Sequence, residues 1–228
     1  MINQMITGSE LFRHIPSAEM EDVLACLGGS TRQYQKGETI LAAGDTTDLA
    51  GLVLSGGVYI ERTDIWGNQN IISHAAAGEL FAETYATVAG EPLMVSVAAS
   101  EDSEILFFSI LKILTACGSG CSYHNVLIRN LLTIISAKNL TLTRKISHIT
   151  PKSIRGRVVA FLSDQAKRQN RYSFDIPFNR QYLADYLCVD RSALSSELSK
   201  MQKEGLITYR KNHFTLHLTT DTEPGGNI

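Results

Sequence analysis

NRQYLADYLCVDRSALSSELSKMQKEG, residues 179–205, reads as two short helices joined by a tight turn. Asn179 has the side chain of a helix N-cap, whose oxygen accepts from an otherwise unpaired backbone N–H. Leu183, Ala184 and Leu187 give a first short helix its apolar face, with Ala184 small where two helices approach closely. Cys188-Val189-Asp190 makes the turn, with Val189 directed to the core and Asp190 capping the next helix. Leu194, Leu198 and Met201 then recur at helical steps, and Gly205 stops the helix. Two short helices around a three-residue turn are a helix-turn-helix.

The exposed side of this motif carries donors. Arg191, Ser192, Ser195 and Ser196 lie near the start of the second helix, and Lys200 continues that face. A helix inserted end-on in a major groove brings such residues to base edges, where arginine can donate two hydrogen bonds to guanine. Arg180 and Gln181, at the start of the first helix, can hold phosphate. Downstream, two strand-like runs at 207–209 and 214–218 flank Arg210-Lys211-Asn212, a hairpin with a basic tip, or wing. The expected DNA contacts are Asn179, Arg180, Gln181, Asp190, Arg191, Ser192, Ser195, Ser196, Lys200, Arg210 and Lys211. The competing reading is a helical hairpin with no DNA role.

Charge separates these readings. Residues 1–137 hold 6 Lys and Arg against 15 Asp and Glu, whereas residues 138–218 hold 15 against 6. A near-neutral total of −2 thus hides a body at −9 and a C-terminal third at +9. A basic third on an acidic body suits a polyanionic partner for that third alone.

Upstream, from about residue 32 to 108, glycines at 37, 44, 51, 56, 57, 67, 78 and 90 separate short apolar or alternating runs. This spacing predicts a small β-sandwich or barrel, with Trp66-Gly67-Asn68 as a hairpin turn. From Tyr123 to Ile149 there is no Gly or Pro, and the apolar period becomes helical. Asn125, Ile128, Leu132, Ile135, Asn139, Leu142, Ile146 and Ile149 step by three and four residues, the seam of a two-stranded coiled coil. Asparagine recurs at one heptad position, where it fixes register at a cost in stability. A second stripe, Leu127, Leu131 and Ile134, suits packing on the β domain; a single buried intramolecular helix is the alternative. Thr150-Pro151 breaks the helix, and a further helix is expected over about 153–168. The expected domains are a β-roll sensing domain at 1–120, a dimerisation helix at 121–149, a winged helix-turn-helix at 150–220 and a tail at 221–228. The fold class is α+β.

Nearly the whole chain resembles the cyclic-AMP receptor protein / fumarate–nitrate reductase regulator (Crp/Fnr) family of bacterial transcription regulators. KGETI (36–40), LSGGVYI (54–60) and GELF (78–81) resemble the family's β-roll motifs, and residues 178–207 align without gaps to its helix-turn-helix. The resemblance implies a cyclic-nucleotide-binding-like jelly roll, a homodimer, a near-palindromic double-stranded DNA site and contact with RNA polymerase. It also implies that Arg191 reads guanine. Ser192 and Ser196 stand where the family usually has glutamate and arginine, which unsettles the base preference.

The effector departs from the pattern too. Nucleotide-binding members follow Gly-Glu-Leu with an Arg-Ser pair that holds the cyclic phosphate; the aligned residues are Leu93 and Met94. A buried phosphate needs a cation or several donors, and no Lys or Arg lies between Arg62 and Lys112. Cyclic AMP is therefore disfavoured. Gly78, Glu79, Leu80, Tyr85, Leu93 and Met94 are the candidate lining for a more apolar effector, with a closed core as the alternative. An iron–sulfur cluster is disfavoured because only Cys26 lies near the N-terminus, where members of this resemblance carry a cysteine cluster. Haem is disfavoured because His74 and His124 lack motif context; each reads as a surface or satisfied core residue. No metal or cofactor is expected.

The four cysteines, Cys26, Cys117, Cys121 and Cys188, do not make a disulfide scaffold in 228 residues and are expected as reduced thiols. Cys121 falls on the seam one turn before Asn125, so a redox switch there is an alternative. Composition is that of an ordinary globular chain, 44% hydrophobic and 19% charged. No apolar run approaches the ~20 residues of a membrane span, and residues 1–10 lack a signal-peptide pattern; a cytoplasmic location is expected. No nucleophile elbow, phosphate loop or zinc motif argues for an enzyme. The expected function is a ligand- or redox-gated transcription regulator. Its rivals are an effector-independent regulator of the same fold and a ligand-binding protein or enzyme without DNA binding.

Overall fold

The computed structural model describes residues 6–63, 69–88, 90–115 and 123–217. The chain divides into two compact units between residues 137 and 138.

In the first unit the strands form two four-stranded antiparallel sheets. One has β1 (Ser30–Tyr34), β8 (Ser103–Ser109), β3 (Leu49–Ser55) and β6 (Leu80–Phe81), in that spatial order. The other has β2 (Thr39–Leu41), β7 (Ser96–Ala99), β4 (Gly57–Thr63) and β5 (Gln69–Ala76). Val53, Ile105 and Phe107 of the first sheet meet Val58, Val97 and Ala75 of the second in one core. The opposite faces of β3 and β8 bury Leu52, Leu54, Leu106 and Phe108 under helices. Both strands are thus covered on two sides, which is why 52–54 and 105–108 are unbroken apolar runs rather than alternating ones. Gly51 pairs with Phe81 across β3 and β6, and a Cβ at Gly51 would strike the Phe81 ring. Strands β4 and β5 pair from Gly57↔Ala76 to Thr63↔Gln69; the turn expected at 66–68 lies outside the described residues.

Helices α1 (Met20–Leu27), α2 (Glu83–Thr87) and α3 (Ile110–Leu114) belong to this unit. The long helix α4 (His124–Ile149) starts in it. Leu127 and Leu131 are buried with α1, α3 and β8, and Ile134 packs beside them. The second apolar face behaves differently. Leu132, Leu142 and Ile146 are 59%, 61% and 60% exposed, Asn125 and Asn139 are exposed, and Ile128 and Ile135 are half-buried. The division between the units falls inside α4 because its first half joins the β-sheet core while its last turn buries His148 among the following helices. Cys117 and Cys121 lie outside the described residues.

The second unit continues past the Pro151 break with α5 (Ile154–Gln169), capped by Ser153, whose hydroxyl accepts from Gly156 N at 3.0 Å. Then follow β9 (Ser173–Asp175), α6 (Arg180–Tyr186), α7 (Arg191–Lys203), β10 (Ile207–Arg210) and β11 (His213–Leu216). The sheet order is β10-β11-β9. Phe161 and Leu162 of α5, Leu183 of α6 and Leu187 at its C-cap, and Leu194 and Leu198 of α7 close one core with Phe174 and Phe214. One expectation is corrected: Arg210 is not at the tip of the wing. It ends β10 and pairs with His213, so the turn is Lys211-Asn212, with Lys211 at φ 57.

Candidate nucleic-acid interface

Both helices of the motif are capped by their own sequence. Asn179 Oδ1 accepts from Tyr182 N at 2.9 Å and starts α6. Asp190 Oδ1 accepts from Ser192 N at 2.8 Å, Ala193 N at 3.0 Å and the Ser192 hydroxyl at 2.5 Å. These bonds, the hydroxyl of Ser192 first, hold the Asp190 carboxyl below its ordinary range. Asp190 is therefore committed to the cap. Cys188 takes the left-handed conformation, φ 53, that turns the chain between the helices, and Val189 N donates to Ala184 O at 3.0 Å.

Two arginines missed in the sequence hold this arrangement from α5. Arg155 Nε donates to Glu197 at 2.6 Å, and its two terminal nitrogens donate to Glu204 at 2.6 and 2.8 Å. Both acceptors sit on the side of α7 turned toward α5, one at its middle and one at its C-cap. Arg157 donates to the carbonyls of Pro151 at 2.9 Å, Leu187 at 3.0 Å and Cys188 at 2.9 Å. It thereby binds the negative end of α6 and the helix break at once. We expect Arg157→Ala to lower the unfolding free energy by about 2 kcal/mol, the scale of a charge-assisted hydrogen bond. Urea unfolding of the full chain measures it, and a change within error would mean that water replaces the guanidinium.

The wing is tied in on the other side. Asn212 Nδ2 donates to Ile176 O at 3.2 Å, and Ile176 N donates to Asn212 O at 2.9 Å. The Arg180 guanidinium lies over the rings of Tyr209 at 4.9 Å and Phe214 at 6.0 Å. This burial, with some repulsion from Arg191, lowers the Arg180 pKa without neutralising it.

Between helix and wing opens a cleft of about 710 Å³ lined by Pro177, Phe178, Asn179, Arg180, Gln181, Arg191, Lys211 and Asn212. Five of the expected DNA contacts thus meet there: Asn179, Arg180, Gln181, Arg191 and Lys211. Ser192, Ser196 and Lys200 are exposed along α7. Ser195 is half-buried and donates to Arg191 O at 2.9 Å, and Gln181 donates to Asp185 at 2.9 Å. Arg210 is exposed at the strand end beside the wing turn.

The six candidate effector residues are placed as follows. Glu79 turns back to accept from Ala76 N at 2.9 Å. Leu80 and Leu93 are buried, and Leu93 is bound through its backbone to Gly44 and Asp45. Met94 is 72% exposed, with its N–H 3.3 Å from the Tyr85 hydroxyl. Gly78 holds a turn at φ +89. A polar cavity of about 600 Å³, bordered by Tyr34, Glu38, Asp102 and Glu104 among others, includes none of the six. His74 is bonded to Ser100 at 3.1 Å, and buried His124 to the Lys112 carbonyl at 3.0 Å. Among the described residues no group of three or more His, Cys, Asp or Glu could hold a metal ion, and no helix is long and apolar enough to cross a membrane.

Comparison with known proteins agrees with this architecture. The cyclic nucleotide-binding domain model matches residues 31–118, and the Crp-like helix-turn-helix domain model matches residues 156–219. No curated protein matches the chain in sequence. Among solved structures, the c-di-GMP-responsive global regulator CLP of Xanthomonas campestris is 20% identical. That match covers 90% of this chain and 100% of CLP, with a TM-score of 0.55. CprK complexed with OCPA is 14% identical over 87% of this chain and 90% of its own, with a TM-score of 0.61. The catabolite activator protein of Thermus thermophilus is 22% identical over 92% and 94%, with a TM-score of 0.49. At these identities CLP and CprK speak for the fold alone; the two domain models, matched in order and together spanning about two thirds of the sequence, place the chain in the Crp/Fnr family.

Proposed function

We propose that the chain is a homodimeric, sequence-specific transcription regulator that reads double-stranded DNA with α7 and grips its backbone with the wing. The observation that carries this is the cleft in which Arg191 of the recognition helix and Lys211 of the wing converge with Arg180. Arg191 and the exposed Ser192 and Ser196 of α7 supply direct readout, with Ser195 beside them; Arg180, Gln181, Lys200, Arg210 and Lys211 supply phosphate contacts. Asn179 and Asp190 act through the caps that aim the helices. RNA polymerase is the expected protein partner and the cytoplasm the expected location. No catalytic role is assigned.

The dimer seam is Asn125, Ile128, Leu132, Ile135, Asn139, Leu142 and Ile146. Its exposed leucines and isoleucine are apolar surface that a second copy would bury. The signal is a small molecule or a redox change in the first unit, and not cyclic AMP. A buried Leu93 and an exposed Met94 offer a cyclic phosphate neither charge nor donors beyond the backbone.

Fluorescence anisotropy with the chain's own upstream DNA tests the reading. Binding is expected to fall on the order of 10³-fold or more between about 50 and 200 mM salt, as for a protein making six to ten phosphate contacts. Affinity that ignores salt would sink the DNA reading. Specific binding by ligand-free protein would favour the effector-independent regulator.

A further inference from the structure

Inside the second unit, the last turn of α4 meets α5 and α6 on a single imidazole. His148 is 3% exposed. Its Nδ1 lies 2.9 Å from the Tyr186 hydroxyl at the end of α6, and its Nε2 lies 3.6 Å from Asp164 Oδ2 on α5. Nε2 and Oδ2 are both buried, and neither has a hydrogen-bond partner among the described residues. The rings of Phe161, Phe178 and Tyr186 pack around this point, with centroids 5.1 to 5.9 Å apart.

The carboxylate decides the tautomer. A lone pair on Nε2 facing Asp164 would be repelled, so Nε2 carries the proton and Nδ1 accepts from the Tyr186 hydroxyl. A second proton would occupy Nδ1 and end that acceptance, while Nε2–H and Asp164 would become a full ion pair. Protonation thus reverses the α4–α6 bond, Nδ1–H now donating to the Tyr186 oxygen, and adds an α4–α5 ion pair that draws the ring toward Asp164. The charged and titratable groups around the ring are Asp164 and Arg168 from α5, Arg144 from α4, and Tyr186 from α6. Lys145 of α4 lies 5.8 Å over the Tyr186 ring.

We propose that His148 is a positioning residue for DNA binding: through the hydrogen bond from Tyr186 it fixes the direction in which α6, and with it the recognition helix, leaves the end of α4. This rests on the DNA-binding reading above. If α4 is the dimer axis, that direction sets the distance between the two recognition helices, which must match half-sites about one helical turn, ~34 Å, apart.

Burial, aided by Arg144 and Arg168 and opposed by Asp164, lowers the His148 pKa from its ordinary 6.5. The folded state therefore holds the neutral, accepting imidazole to lower pH than the unfolded chain does. Below pH 6.5 the unfolded state binds more protons, so stability of this unit falls as pH falls, and below the depressed pKa the charged ring is drawn toward Asp164 and the Tyr186 bond reverses.

The test uses the full chain and a set of operators whose half-sites keep their sequence while their spacing changes by one or two base pairs. Tyr186→Phe keeps the ring and removes the hydroxyl. It is expected to retain half-site base preference while its preference for the best spacing falls about fivefold, the factor of one net hydrogen bond. His148→Asn places an accepting oxygen near the position of Nδ1 but cannot be protonated in this range. It is expected to keep the spacing preference and to lose the decline that wild type shows as pH falls below 6.5. Thermal unfolding confirms that both variants fold. If wild type binds DNA and Tyr186→Phe shows its spacing and pH profiles unchanged, the latch is wrong and the contact is packing alone. If wild type binds no operator, the DNA reading fails and the latch fails with it.

Discussion

A chain carrying Leu142→Glu and Ile146→Glu is expected to be monomeric and to bind a full operator 10²- to 10⁴-fold more weakly than wild type. The two side chains are 61% and 60% exposed in the single chain, so their replacement costs the monomer little. In a coiled-coil dimer each would be buried at a stabilisation of roughly 1.5–3 kcal/mol, and each glutamate would instead face its like-charged mate. The loss at the operator follows from valency: two linked recognition helices gain 10²–10⁴ over one without any new contact. Sedimentation equilibrium gives the oligomeric state and anisotropy the affinity. Leu140 provides the control. It is 54% exposed but lies one step off the three-and-four progression through Asn139 and Leu142. Leu140→Glu should leave the dimer intact. A double variant that remains dimeric, or a Leu140→Glu that dissociates, would move the interface away from this seam.

The two apolar faces of α4 were legible because a helix announces its faces through local period. One is spent inside the first unit, at Leu127 and Leu131; the other is left open. The strands were legible for a related reason: glycine turns bracket them, and double-sided burial of β3 and β8 makes their apolar runs continuous. The helix-turn-helix was the most readable part. Its caps, turn and core positions are all specified within a few residues of one another.

The rest depends on partners far apart in sequence, which no period records. Arg155 reaches Glu197 and Glu204 across 42 and 49 positions, and His148 reaches Tyr186 across 38. A signal for the first existed: Glu197 and Glu204 stand seven residues apart, about two helical turns, on a helix followed from an otherwise basic region. Asp190 shows the converse limit. Its residue type fits both a cap and a base contact, and only geometry reveals that Ser192 and Ala193 occupy its carboxylate. The effector residues were grouped by alignment to a phosphate site, and the alignment does not say that Leu93 turns inward while Met94 turns out.

Arg191→Ala and Lys211→Ala are expected to weaken DNA binding in different ways, and the difference is the sharper test of how the cleft works. Arg191 opens α7 and lines the cleft, but its side chain is not part of the cap: Asp190 holds the first turn through Ser192 and Ala193. Arg191→Ala should therefore fold as wild type. A guanidinium reading guanine through two hydrogen bonds is worth about 1–3 kcal/mol of discrimination at each half-site, and a dimer loses it twice. The affinity loss should be greatest on the preferred operator and small on sequences already lacking that guanine. Lys211 has neither a helix nor a base edge to fit; at the wing turn, φ 57, it supplies a point charge. Lys211→Ala should weaken all sequences alike and reduce the salt slope by about one per half-site. Selection of binding sites from randomised half-sites, repeated at two salt concentrations, separates the two effects. If Arg191→Ala keeps the wild-type base preference and changes only the salt slope, α7 grips the backbone, and sequence must be read by DNA shape or by the serines that follow it.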